Sequence, residues 1–188
     1  MINFKFNEIK TTQAAAFLLK KNNNKMSYMK LIKLLYLADR EALSLWERTI
    51  TGDSFFSMDN GPILSKTLNK INEGKMPRHE SYWHKYISAP AHYNINLKKD
   101  PGVDELSKRE KEVLNKISKK YEKYDKWEMV DICHKELPEW KDPQGTSIPI
   151  RIKDILKALN KTQQEIKTIE NEVSTLNYVK TVLSSDNT

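Results

Sequence analysis

Tyr28 to Ile71, YMKLIKLLYLADREALSLWERTITGDSFFSMDNGPILSKTLNKI, decides the fold. Tyr28, Leu31, Ile32, Leu34, Leu35, Ala38, Ala42, Leu45 and Trp46 recur at a helical period, and their stripe is too broad for a helix that rests on one surface. The spacing predicts a central helix capped by Ser27 and running to about Arg48. Asp53 to Met58 is too short and aromatic to be helical. Asn60-Gly61 then supplies positions that tolerate positive φ where the chain reverses, and Pro62 suits the first position of a third helix ending near Gly74. Ile63, Leu64, Leu68 and Ile71 are placed for burial on that helix.

Outward from this stretch the signals are mostly helical. Thr11 or Thr12 is placed to cap a first helix from Gln13 to about Lys21. Tyr82–Ile87 and Tyr93–Leu97 alternate in polarity around Ser88-Ala89-Pro90-Ala91, the pattern of a β-hairpin. Pairing of Asp53–Met58 with that hairpin would complete a small antiparallel sheet. Ser107 with Glu110, Asp125 with Glu128 and Thr162 with Glu165 are capping boxes opening three further helices. The first presents Val113, Leu114, Ile117, Tyr121 and Tyr124 inward, the second Trp127, Val130, Cys133 and Leu137. Between the second and third, Ile148-Pro149-Ile150 leads into a short helix through Leu159. On the last helix Ile166, Ile169, Val173, Leu176 and Leu183 follow heptad steps, a seam able to pack on its own domain or on another chain. The expected architecture is mainly α (α+β): a compact helical domain over residues 1–160 around a central helix, with a small antiparallel sheet or hairpin, and a C-terminal amphipathic helix and tail over 161–188.

Composition sets the bounds. One domain plus an appendage suits 188 residues, with 38% apolar and 30% charged residues. No apolar run has the roughly 20 residues that span a bilayer, and MINFKFNEIK lacks the apolar core of a secretion signal, so a cytoplasmic protein without membrane insertion is expected. The single cysteine, Cys133, agrees with a reducing compartment. Residues 1–50 hold nine basic against four acidic side chains, and residues 98–126 ten against seven; these supply most of the net charge of +7. A basic half attracts nucleic acid or an acidic protein alike. Lysine-rich solvated helix faces are the commoner origin of such a charge, and no aromatic strand motif of RNA readers is present, so nucleic acid is the less favoured partner.

No constellation of residues in the sequence points to catalysis. His79, His84, His92 and His134 include no pair at the three- or four-residue spacing of helical zinc ligands, so neither a metal nor a cofactor is expected. Five scattered glycines make no phosphate cradle. Cys133 falls on the buried face of its helix and reads as a packed thiol, and Asp39 and Arg40 read as a cap or an internal ion pair. The chain is therefore expected to bind rather than catalyse.

The words KLLYLADR (Lys33 to Arg40), ITGDSFFSMDNGPI (Ile50 to Ile63) and PEWKDP (Pro138 to Pro143) resemble the Panacea domain, also called the SocA-like antitoxin domain, over roughly the first 160 residues. The resemblance implies an antitoxin that neutralises a cognate protein toxin by direct binding, with delivery to a cellular protease as a variant of that role. The alternative is a nucleic-acid-binding regulator. Candidate partner-binding residues are Phe55, Phe56, Asp59 and Asn60 at the turn, His84 and Tyr86 in the hairpin, and Ile166, Ile169, Val173 and Leu176 on the last helix, where a homo-oligomer seam is the other use.

Overall fold

The computed structural model describes residues 2–73 and 81–185. The central helix, α2 (Tyr28–Trp46), is buried at every position from Lys30 to Asp39, so it is enclosed on all sides rather than resting on one surface. A left-handed Glu47 (φ 63°) ends it two residues before the expected Arg48, and the Glu47 N–H closes the last turn on the Leu43 carbonyl. Ser27 stands at its N-cap without using its hydroxyl as a cap.

The first helix, α1 (Glu8–Lys20), begins five residues earlier than Thr11 and Thr12 suggested. Asn7 is the cap, accepting from the Lys10 N–H at 2.9 Å. The two threonines lie inside the helix and donate back to the Asn7 and Glu8 carbonyls at 2.7 Å, which satisfies their hydroxyls in a fully buried setting. A residue type that caps well also back-bonds well, and only packing chose between the two.

The GP turn is likewise corrected. β2 (Phe55–Met58) and β3 (Gly61–Leu64) form an antiparallel hairpin with Ser57 opposite Pro62, and β5 (Ile148–Ile150) pairs with the other edge of β2, giving the order β3-β2-β5. Pro62 is thus in an edge strand, where a missing donor is tolerated, and not in a helix. The positive φ falls on Gly61 (91°). The third helix, α3 (Ser65–Glu73), starts three residues later than expected because its cap comes from far upstream. The Asp53 carboxylate accepts from the Lys66 and Thr67 N–H groups at 2.9 Å and from the Thr67 hydroxyl at 2.7 Å. The expected helix end at Gly74, the connector Lys75–Arg78 and His79 lie outside the described residues.

Tyr82–Ile87 is not a strand. Ser81 caps α4 (Tyr82–Tyr86), and Trp83 and Ile87, four residues apart, are each 1% exposed on its inner side. A short apolar run carries too few residues to separate a period of two from one of 3.6. β4 (Asn94–Asn96) survives from the expected hairpin, but it pairs with β1 (Lys25–Ser27), ahead of α2, and the hairpin is reduced to isolated bridges from Ile87 to Leu97 and from Ala91 to Asn94. β2 makes no pair with it, so the sheet predicted from Asp53–Met58 and the hairpin is replaced by two separate small sheets.

α5 (Lys108–Lys120) and α6 (Lys126–Glu136) open on the expected capping boxes of Ser107 and Asp125. On α6 Val130 and Cys133 are buried as expected and Met129 joins them, while Trp127 is 53% exposed, against expectation. α7 (Ile152–Ala158) and α8 (Gln163–Ser185) follow, with Thr162 and Glu165 completing the third box. Ile166, Ile169 and Val173 of α8 belong to the same apolar core as α1, α2 and α5, whereas Leu176 is 48% exposed. The described residues are mainly α-helical, in eight helices with small antiparallel sheets, and none of these helices is long and apolar enough to cross a membrane.

Candidate functional site

Four polar side chains of α2 hold three other segments of the chain. Lys33 is 1% exposed and donates to the Pro62 carbonyl at 2.7 Å. The same position explains Gly61: a Cβ there would stand 3.1 Å from Lys33 Nζ and 3.3 Å from the Cys133 Cβ, on a backbone already at positive φ. Tyr36 donates its hydroxyl to Glu139 Oε1 at 2.9 Å, and Arg40 Nε donates to the same oxygen at 2.7 Å. Asp39 accepts from the Ile50 N–H (2.7 Å), the Thr51 N–H (3.0 Å) and the Thr51 hydroxyl. Asp39 and Arg40 therefore cap a neighbouring backbone and pair with an internal charge, as the sequence suggested.

The PEWKDP segment closes this arrangement. Glu139 has no exposed side-chain surface, Trp140 donates from Nε1 to the Met58 carbonyl at 3.1 Å, and its ring stacks on His134 at 3.9 Å. Beyond it the Gly145 N–H reaches Asp59 Oδ1 at 2.9 Å. The loop thus clamps the hairpin from one side while α2 holds it from the other.

Burial governs the titration of these groups. It pushes the Lys33 ammonium down to about 8 and the Asp39 carboxyl up to about 7, the hydrogen bonds to Asp39 opposing the rise without cancelling it. Burial and then the adjacent Glu139 carboxylate raise the Tyr36 phenol. The Lys33 shift has a signed consequence. The folded state binds fewer protons than the unfolded state between about 8 and the ordinary 10.5, so stability climbs with pH through that window and is lost again as pH falls back to 8. Relative to Lys33→Met, wild type should gain about 2 kcal/mol between pH 8 and 10 in urea denaturation; a flat difference would show that the ammonium is not desolvated.

Cys133 is fully buried and burial pushes its thiol up to about 11, which removes the thiolate a nucleophile needs. Among the described residues no three His, Cys, Asp or Glu side chains come close enough to hold a metal ion.

The candidate partner-binding residues scatter. Phe55 is 3% exposed and meets Tyr36 edge-on at 5.3 Å, so it is a core residue and not a docking one. Phe56 is half-buried between Ile63 and Pro149 of the neighbouring strands, and Asp59 and Asn60 are exposed at the turn. His84 is tied down by the Lys70 carbonyl and the Ser81 hydroxyl at 2.8 and 2.9 Å, which takes it out of any surface role. Tyr86 stays half-exposed against Tyr82. Ile166, Ile169 and Val173 are spent on the protein's own core, and of these four candidates Leu176 is the accessible one.

Residues 31–141, more than half of the chain, match the model of a family described as antitoxin SocA-like, Panacea domain. The chain belongs to that family. Comparisons with curated proteins and with solved structures return no match. The matched span begins inside α2 and ends one residue after Trp140, so it contains Lys33, Tyr36, Asp39, Arg40, Thr51, Asp53 and Glu139 of the buried polar arrangement, and Gly61 beside them. In this chain those positions of the Panacea domain hold the scaffold together. Sequence reading missed Lys33 and Glu139. The signal for the first was present, a lysine on the inner face of an otherwise apolar stripe; for the second it was not, since its partners lie 99 and 103 residues away.

Proposed function

We propose that this protein is the neutralising member of a toxin–antitoxin pair, acting in the cytoplasm by binding one cognate protein toxin and covering its working surface. The observation that carries the reading is membership of the SocA-like antitoxin family, together with the internal use of the side chains that make up its words. A scaffold whose polar signature faces inward acts through the surface it presents. An interface of about 1,600 Å² in total is the ordinary size for such masking.

The test is co-expression. The reading frame adjacent to this gene, induced alone, should stop growth, and growth should return when this protein is supplied; the two products should then purify as one complex. An adjacent product that is harmless, or toxic but unaffected by this protein, would sink the proposal. The level of the toxic product separates two forms of neutralisation. An unchanged level supports masking, whereas a level that falls only in cells with an active protease supports delivery for degradation.

A further inference from the structure

We propose that the partner docks in the groove between residues 3–7, residues 48–52 and α8, and that it does so with an acidic, amphipathic segment. This rests on the toxin-binding reading and names the surface that reading leaves open. The groove encloses about 910 Å³. Among the described residues four cations, Lys5, Lys10, Arg48 and Lys66, line it, and no carboxylate does. Lys10 and Arg48 are partly neutralised from outside by Glu110 at 3.1 Å and Glu172 at 3.4 Å. Lys5 and Lys66 are exposed and make no ion pair among the described residues. An unopposed pair of lysines beside apolar surface is complementary to carboxylates on an apolar element.

The apolar side of the groove comes from α8. The seam that fixes this helix to the domain runs through Ile166, Ile169 and Val173, and at the next step the domain ends and Leu176 emerges 48% exposed into the groove. The opposite wall is fixed in place. Gly52 sits at φ 68° with space for no side chain, since a Cβ would collide with the Lys5 carbonyl oxygen, and the Asn7 N–H donates to the Thr51 carbonyl at 3.0 Å. Arg48 lies over the Phe4 ring and Lys66 over the Phe6 ring, at 5.9 and 5.5 Å from their centroids.

Those two contacts also choose between occupants. One face of each ring already carries the protein's own cation, which competes with base stacking there, so the groove favours a protein segment over single-stranded nucleic acid. A second copy of this chain would bring its own charge of +7 to a cationic surface, which is the wrong complement.

The test uses the full chain with Lys5→Glu combined with Lys66→Glu, and separately with Leu176→Asp. Both should melt within a few degrees of wild type, and both should lose at least about tenfold in affinity for the toxic product of the adjacent reading frame, with loss of growth rescue. Binding by wild type should weaken steeply with added salt. Unchanged affinity and rescue in folded variants would overturn the groove while leaving the antitoxin reading intact. It would equally be overturned by variants that rescue growth but lose binding to an RNA oligonucleotide, or by a wild-type dimer that Leu176→Asp dissociates without affecting rescue. If wild type itself does not rescue, the antitoxin reading fails and the groove is decided by fluorescence anisotropy of a synthetic peptide helix with leucines on one face and glutamates elsewhere. The peptide should bind wild type and bind the double variant at least about tenfold more weakly; no binding to wild type overturns the groove.

Discussion

Asp39→Ala should cost about 3–4 kcal/mol of stability, a large part of the total of roughly 5–15 kcal/mol for a domain of this kind. The carboxylate is fully buried in the middle of α2 and serves three donors, the Ile50 and Thr51 N–H groups and the Thr51 hydroxyl. Alanine leaves all three without an acceptor, each worth about 1–3 kcal/mol when buried and unmade. The sum is reduced because the variant no longer desolvates a carboxyl whose burial already raises it to about 7. Guanidinium denaturation at pH 7 checks the value, and a loss below about 1 kcal/mol would mean that water reaches these donors.

Asp39→Asn separates the hydrogen bonds from the charge. Its Oδ1 can keep both N–H donors while Nδ2 turns to the Thr51 hydroxyl oxygen, so most of the geometry is retained. The folded Asp39 binds its proton more tightly than the ordinary 3.8, so between about 4 and 7 the wild-type fold loses stability as pH rises. Asn has no such loss. The variant should therefore gain on wild type steadily across that window, and a constant difference would show that Asp39 is ionised throughout.

Glu139→Ala is the second large effect, about 3 kcal/mol. Its carboxylate is the shared acceptor of Tyr36 and Arg40, and its own side chain has no contact with solvent. Removing it strands a buried phenol and a guanidinium; the latter is 20% exposed and can recover water, which keeps the cost at the low end of the range for broken buried pairs. Tyr36→Phe, which removes one donor and no charge, should cost only about 1 kcal/mol. A double-mutant cycle of Glu139→Ala with Arg40→Ala should show coupling above about 1 kcal/mol, and additive losses would mean that the pair contributes nothing beyond packing.

The role of Asp39 was suggested by the sequence, whereas that of Glu139 was not, since its partners lie 99 and 103 residues away. The breadth of the apolar stripe was enough to place α2 at the centre, and three capping boxes were enough to place the starts of α5, α6 and α8, because a cap is a contact between residues three apart. The same local logic failed for α3, whose cap is Asp53 in a separate segment, and for α4, whose five residues were too few to reveal their period. It could not tell that Phe55 faces inward while Leu176 faces out, since both are apolar residues in plausible patterns and the difference is where the domain ends.

By itself the sequence determined a mainly helical chain, its central helix and its family, because each follows from short-range periodicity or from words that can be read in order. Only the tertiary structure decided what those words do. Lys33 meets Pro62, Asp39 meets Thr51 and Glu139 meets Arg40 across separations of 29, 12 and 99 residues, where a buried polar group must find its partner or destabilise the fold. The surface left over, with Lys5, Lys66 and Leu176 brought together from the two ends and the middle of the chain, has no counterpart in any single stretch of sequence.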